Sequence, residues 1–141
     1  MYTFSTERLI AATPAAIFTA IQDPARLARW WGPQGFSNRF EIFEFTPGGR
    51  WEFAMIGPDG KHYANSARFS RIDPDKQIDI QHLSPPHFEL SIRLEANTAG
   101  TLLHWTQTFA DAKVGEALRP IVEPANEQNL DRLRQQLNVR N

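Results

Sequence analysis

The chain has 141 residues, 41% hydrophobic and 22% charged, with 10 Phe, 4 Trp, 2 Tyr, no cysteine and a formal net charge of -1. A chain of this size buries roughly two-thirds of its unfolded surface on folding, so a single domain spanning residues 1–141 needs no disulfide or zinc staple, and thiol chemistry is excluded. The balanced charge excludes global attraction to nucleic acid or an anionic membrane. Residues 1–7 lack a basic stretch leading into an apolar run, and no window approaches the roughly 20 apolar residues of a membrane span, so the expected compartment is the cytoplasm.

In chain order, residues 2–10 read as a strand. Thr13-Pro14 and Asp23-Pro24 each place a capping oxygen before a proline at the first helical position, where its missing donor costs nothing. Two short helices are expected there, the second closing on Trp30-Trp31-Gly32-Pro33. From Phe36 onward, apolar stretches are cut by Thr46-Pro47-Gly48-Gly49, Gly57-Pro58-Asp59-Gly60, Asp73-Pro74-Asp75-Lys76, Ser84-Pro85-Pro86 and Asn97-Thr98-Ala99-Gly100. Proline pre-sets a turn angle, glycine accepts positive φ, and Asp or Asn bonds its own backbone. Five reversals join six strands into an antiparallel meander.

These strands alternate as half-buried strands do. Phe88, Leu90, Ile92 and Leu94 oppose Glu89, Ser91, Arg93 and Glu95; Trp51, Phe53 and Met55 oppose Arg50, Glu52 and Ala54; Leu103, Trp105 and Phe109 oppose His104, Thr106 and Thr108. Over residues 36–45 the apolar positions switch from even (Phe36, Phe40, Ile42) to odd (Phe43, Phe45), which predicts a bulge near Ile42. The carboxy-terminal stretch changes period: Leu118, Val122, Ala125, Leu130, Leu133 and Leu137 recur at helical spacing against a polar face of Asn129, Asp131, Arg132 and Gln135. Pro120 and Pro124 predict a break or kink between Arg119 and Pro124.

A long amphipathic helix and a one-faced sheet cover each other, so the expected class is α+β. The stretch Asp23-Pro24-Ala25-Arg26-Leu27-Ala28-Arg29-Trp30-Trp31-Gly32-Pro33 resembles the activator of heat-shock-protein-ninety ATPase homologue family. So do residues 8–18, Thr46 to Phe53, Gly57 to Gly60, Arg71 to Ile78 and Asn129 to Leu133. This family sits within the START-like (SRPBCC), birch-pollen-allergen-like superfamily. The resemblance implies a helix-grip fold: a curved seven-stranded antiparallel sheet with its first strand paired to its last, two short helices after the first strand, and a long C-terminal helix across the sheet. It also implies a cavity between helix and sheet.

The expected function is binding of a small, largely apolar or aromatic ligand in that cavity, with no cofactor. By strand parity and position, the candidate ligand-binding residues are Trp30, Trp31, Phe36, Trp51, Phe53, Met55, Asn65, Phe69, His82, Phe88, Trp105 and Gln107. A polar minority on an apolar wall is the general form of a small-molecule site. Of Trp30 and Trp31, one ring is expected to anchor the short helix and the other to be free for a ligand or partner.

The superfamily resemblance also implies two alternatives. One is a polyketide cyclase or dehydratase-like enzyme using His82 as acid or base, since burial and neighbours tune an imidazole near neutrality. The other is a co-chaperone modulating a heat-shock-protein ATPase, in keeping with a stress-response role, although the eukaryotic activator's separate amino-terminal domain has no counterpart here. His62, His82, His87 and His104 lack paired-ligand spacing, so no metal is expected. Arg132, Arg134 and Arg140 are interleaved with Glu127 and Asp131 and read as a solvated helix face, not a nucleic-acid surface. The surplus phenylalanines of residues 36–45, on an expected edge strand, point to a possible homodimer.

Overall fold

The computed structural model describes residues 1–138. The order is β1 (Tyr2–Ile10), α1 (Pro14–Gln22), α2 (Pro24–Trp30), β2 (Ser37–Phe43), β3 (Arg50–Ile56), β4 (His62–Asp73), β5 (Gln77–His82), β6 (Phe88–Asn97), β7 (Gly100–Phe109) and α3 (Ala112–Asn138). The seven strands form one antiparallel sheet in the order β1-β7-β6-β5-β4-β3-β2, so the first strand pairs with the last and β1 and β2 are its edges. This is an α+β helix-grip architecture. Among the described residues, no helix is long and apolar enough to cross a membrane.

Local chemistry sets the helix ends. Thr13 Oγ1 accepts from the Ala16 N–H at 3.1 Å, and Asp23 Oδ1 accepts from the Ala25 N–H at 3.0 Å. Asp23 also ends α1, its own N–H reaching Thr19 O, so one residue closes the first helix and opens the second. Gly32 follows α2 at φ +94°, and a Cβ there would lie 2.7 Å from Met55 Cε. Only glycine turns the chain at that point without strain and without displacing a side chain.

The predicted bulge lies in β2. Phe40 pairs with Phe53 and Ile42 with Glu52, leaving Glu41 as the extra residue. Its consequence differs from expectation. The bulge turns Phe43 to the same side as Phe40, and Phe40, Phe43 and Phe45 all pack on the core; the surplus that motivated a dimer contact is absorbed within one chain. A second bulge, which the alternation did not predict, falls in β4 between Phe69 and Arg71.

α3 runs without interruption through Pro120 and Pro124, so the break expected between Arg119 and Pro124 is corrected. Both prolines are exposed, as are Glu116 and Pro120, whose carbonyls lose their helical donors. Water can satisfy those carbonyls, which keeps the cost of an internal proline at its minimum. The helix docks through Leu130 and Leu133, both fully buried. Arg8 of β1 bonds Asp131 at 2.7 Å and Glu127 at 3.0 Å, tying the sheet to it from one side.

The polar face assigned to α3 is also corrected. Asn129 is buried; its Nδ2 donates to Trp30 O at 2.8 Å and its Oδ1 accepts from the Gly32 N–H at 3.2 Å. The Arg132 guanidinium donates to the carbonyls of Arg29, Trp31, Gly32, Pro33 and Phe36 at 2.8–3.0 Å. The last turn of α2 and the irregular segment after it have carbonyls with no strand or helix partner, and these two side chains, joined by Asn38 Nδ2 at Trp31 O, supply donors. Arg134 lies 3.7 Å from Asp131; Arg140, the third member of the basic group, lies outside the described residues.

Candidate functional site

The register across the sheet builds the site. One inward row runs Phe43, Trp51, Ala67, His82, Phe88, Phe109 from β2 to β7. Ala67 stands between the Trp51 and His82 rings, and its small side chain leaves space that no neighbour fills. Above this gap, under α3, lies a cavity of about 200 Å³. Packed interiors leave few voids larger than a water molecule, so a space of this size beneath three tryptophans needs a reason.

Nine of the twelve candidate residues line it: Trp31, Trp51, Phe53, Met55, Asn65, His82, Phe88, Trp105 and Gln107. The other three do not. Trp30 is fully buried and donates its indole N–H to Ala20 O at 3.0 Å, which anchors α2 on α1. Phe69 is fully buried under Phe43 and Phe45, at ring-centroid distances of 5.6 and 5.0 Å. Phe36 leaves the wall to lie beside Tyr63. Parity could not set Phe69 apart, because it gives the face of a strand and not the depth along it, and Trp30 and Phe36 lie outside the strands.

The tryptophan pair divides its work. Trp30 is the anchor. The ring of Trp31 lies 5.1 Å from that of Trp51 and 5.9 Å from that of Trp105, at the cavity wall. Ala67, Ile80 and Leu90 share the inward parity and were legible as wall residues. Asn126 and Asn129 reach the cavity from α3; only the packed helix shows them.

His82 is the lining residue with a titratable side chain. It is 8% exposed and stacks on Phe88 with ring centroids 4.5 Å apart and planes 8° from parallel. Its Nδ1 lies 2.8 Å from Pro86 O, and its Nε2 lies 2.7 Å from Asn65 Oδ1. Burial pushes its pKa below the ordinary histidine value, opposed by the Pro86 and Ser84 backbone acceptors and assisted by the neighbouring His87. Gln107 Oε1 accepts from Asn126 Nδ2 at 3.0 Å. His104 sits on the outer face between Glu7 and Glu95 at 3.0 and 2.9 Å. Among the described residues, no group of three or more His, Asp or Glu side chains could hold a metal ion.

Two polar atoms in the wall are unaccounted for. The indole nitrogens of Trp51 and Trp105 are buried and have no hydrogen-bond acceptor among the described residues. Each such donor costs about 1–3 kcal/mol.

The family model described as Activator of Hsp90 ATPase homolog 1-like protein matches residues 11–138. No curated protein matches the chain at a significant level. Among solved structures, the chain is similar to a protein from Chromobacterium violaceum (TM-score 0.87, 20% identity, covering 99% of this chain and 100% of that one). It is similar also to a protein from Nitrosomonas europaea (TM-score 0.89, 16% identity, 96% and 94%). A third is the AHSA1 protein from Silicibacter pomeroyi (TM-score 0.78, 23% identity, 96% and 96%). At these identities the likeness shows the fold alone.

Proposed function

The chain belongs to the Activator of Hsp90 ATPase homolog 1-like family, and from that premise we propose that it binds a small, largely apolar molecule in the cytoplasm without a tightly held cofactor. The observation that carries this reading is the cavity between α3 and the sheet, walled by aromatic rings with a few polar side chains among them. Its volume of about 200 Å³ sets the scale of the ligand. An engineered apolar cavity of roughly 150 Å³ accepts benzene, so a molecule of one or two rings fits. The test is a ¹H–¹⁵N NMR titration with toluene. Saturable shifts at the cavity residues are expected; their absence up to the solubility limit ends the reading.

A cyclase or dehydratase-like activity is the second reading, and the observation favouring it is His82, a buried imidazole in the cavity wall. If His82 transfers a proton, His82→Asn abolishes turnover of a small aromatic polyketide-like substrate and leaves affinity mostly intact. If it orients a ligand, affinity falls and there is no turnover to lose. The co-chaperone reading draws on the family's name. Added to an Hsp90 ATPase, the chain is expected to leave the rate unchanged, and a clear stimulation would reverse this ranking. The homodimer is left with the open β2 edge as its support.

A further inference from the structure

We infer that the cavity selects a neutral one- or two-ring molecule bearing a hydrogen-bond acceptor of the carbonyl type, and that the indole N–H groups of Trp51 and Trp105 recognise that acceptor. This deepens the binding reading and rests on it.

The sign of the recognition comes from the two indoles. Trp51 is 0% and Trp105 2% exposed, and neither nitrogen has an acceptor among the described residues. Trp30 shows the contrast: where an indole serves only the fold, its N–H is met by Ala20 O. The amides in the wall carry less information, since Gln107 and Asn126 bond each other and either can be turned round to offer the opposite atom. An indole nitrogen can only donate. Two unmet donors on β3 and β7 therefore ask for an acceptor, and a carbonyl oxygen supplies one.

The same wall excludes a charged ligand. Among the described residues no Asp, Glu, Lys or Arg lines the cavity, and His82, its Nδ1 held by Pro86 O, is disfavoured as a cation by burial. A carboxylate would enter an apolar space without a countercharge, which is costly. Both indole nitrogens are covered, and the ring that packs on both indoles is that of Trp31. An acceptor reaches these donors as the aromatic wall around them gives way, and Trp31, which touches both rings and lines the cavity, is one part of that wall.

The test uses two one-ring probes of nearly equal shape, acetophenone and α-methylstyrene, in which C=O is exchanged for C=CH₂. Both are titrated into the full chain while the four indole N–H signals are followed by ¹H–¹⁵N NMR. Acetophenone is expected to bind about tenfold more tightly, as one hydrogen bond to an otherwise unmet donor implies. It should also move the Trp51 or Trp105 indole proton downfield, as α-methylstyrene does not. Replacing the responding tryptophan by 3-benzothienylalanine, which puts sulfur in place of N–H, should erase the preference of acetophenone over α-methylstyrene. A ketone gives up water on entering an apolar site. If α-methylstyrene binds as tightly or more tightly, the acceptor inference is overturned and the binding reading stands; if neither probe binds, both fall.

Discussion

Asn65 presents its Oδ1 to His82 Nε2 at 2.7 Å while its Nδ2 donates to Tyr63 O at 2.9 Å. The Pro86 carbonyl can only accept, so Nδ1 carries a proton and Nε2 is the nitrogen that titrates. In the neutral ring, Nε2 and Asn65 Oδ1 meet as two acceptors, or Asn65 turns round and gives up Tyr63. The imidazolium would satisfy every partner, but burial opposes its charge, and burial is the largest influence on His82.

The expected outcome is a His82 pKa below the ordinary histidine value by NMR titration. Because the folded pKa is the lower one, the unfolded chain takes up the proton first as pH falls. Stability is then full above the ordinary value near 6.5 and declines as pH drops from there toward the folded pKa. Asn65→Asp places a carboxylate beside Nε2 and should raise the His82 pKa. A wild-type ring titrating at or above the ordinary value would show that the backbone acceptors outweigh burial.

Ala67 creates the space between Trp51 and His82, so Ala67→Phe is the substitution that fills it. Toluene binding should fall more than tenfold, while overpacking costs about 1–3 kcal/mol of stability. Urea unfolding reads the second quantity and NMR titration the first. Retained toluene affinity in a folded Ala67→Phe protein would place the ligand elsewhere.

Arg132 donates to five backbone carbonyls in the last turn of α2 and the segment that follows it. Arg132→Leu should cost about 3 kcal/mol, since hydrogen bonds from a charged donor are the stronger kind, and of the five acceptors only Trp31 O, bonded by Asn38 Nδ2, and Pro33 O, bonded by the Phe36 N–H, would keep a donor in the protein. Arg132→Lys should recover little of it, because an ammonium lacks the planar fork that reaches several carbonyls at once. A loss below about 0.5 kcal/mol in urea unfolding, the level of ordinary surface substitutions, would mean water replaces the guanidinium without penalty.

The assembly state follows from where the phenylalanines of β2 and its turn point. Since Phe40, Phe43 and Phe45 pack on the core, light scattering at micromolar concentration is expected to give a mass near 16.1 kDa. Twice that mass would indicate pairing through the backbone of the β2 edge.

Much of the fold was legible because its signals are local. Thr13 and Asp23 cap the helices they were expected to cap, Gly48, Gly60 and Gly100 take positive φ at the expected turns, and the change of parity at Ile42 marks a real bulge. The inward placement of Trp51, Phe53, His82, Trp105 and Gln107 followed from a period of two. Those features depend on neighbours within a few residues, and such neighbours are written in the chain.

What tertiary structure decided was depth and partnership. Phe69 shares the inward face with Ala67, yet one is covered by Phe43 and Phe45 and the other borders the cavity. Pro120 and Pro124 stay within one helix because their side of α3 meets water and not the sheet. Asn129 and Arg132 look like surface residues by helical period, and they turn inward because the carbonyls they satisfy arrive from about a hundred positions earlier in the chain. Period and capping express the local cost of a conformation, whereas the partner of a buried polar group is chosen by the whole fold.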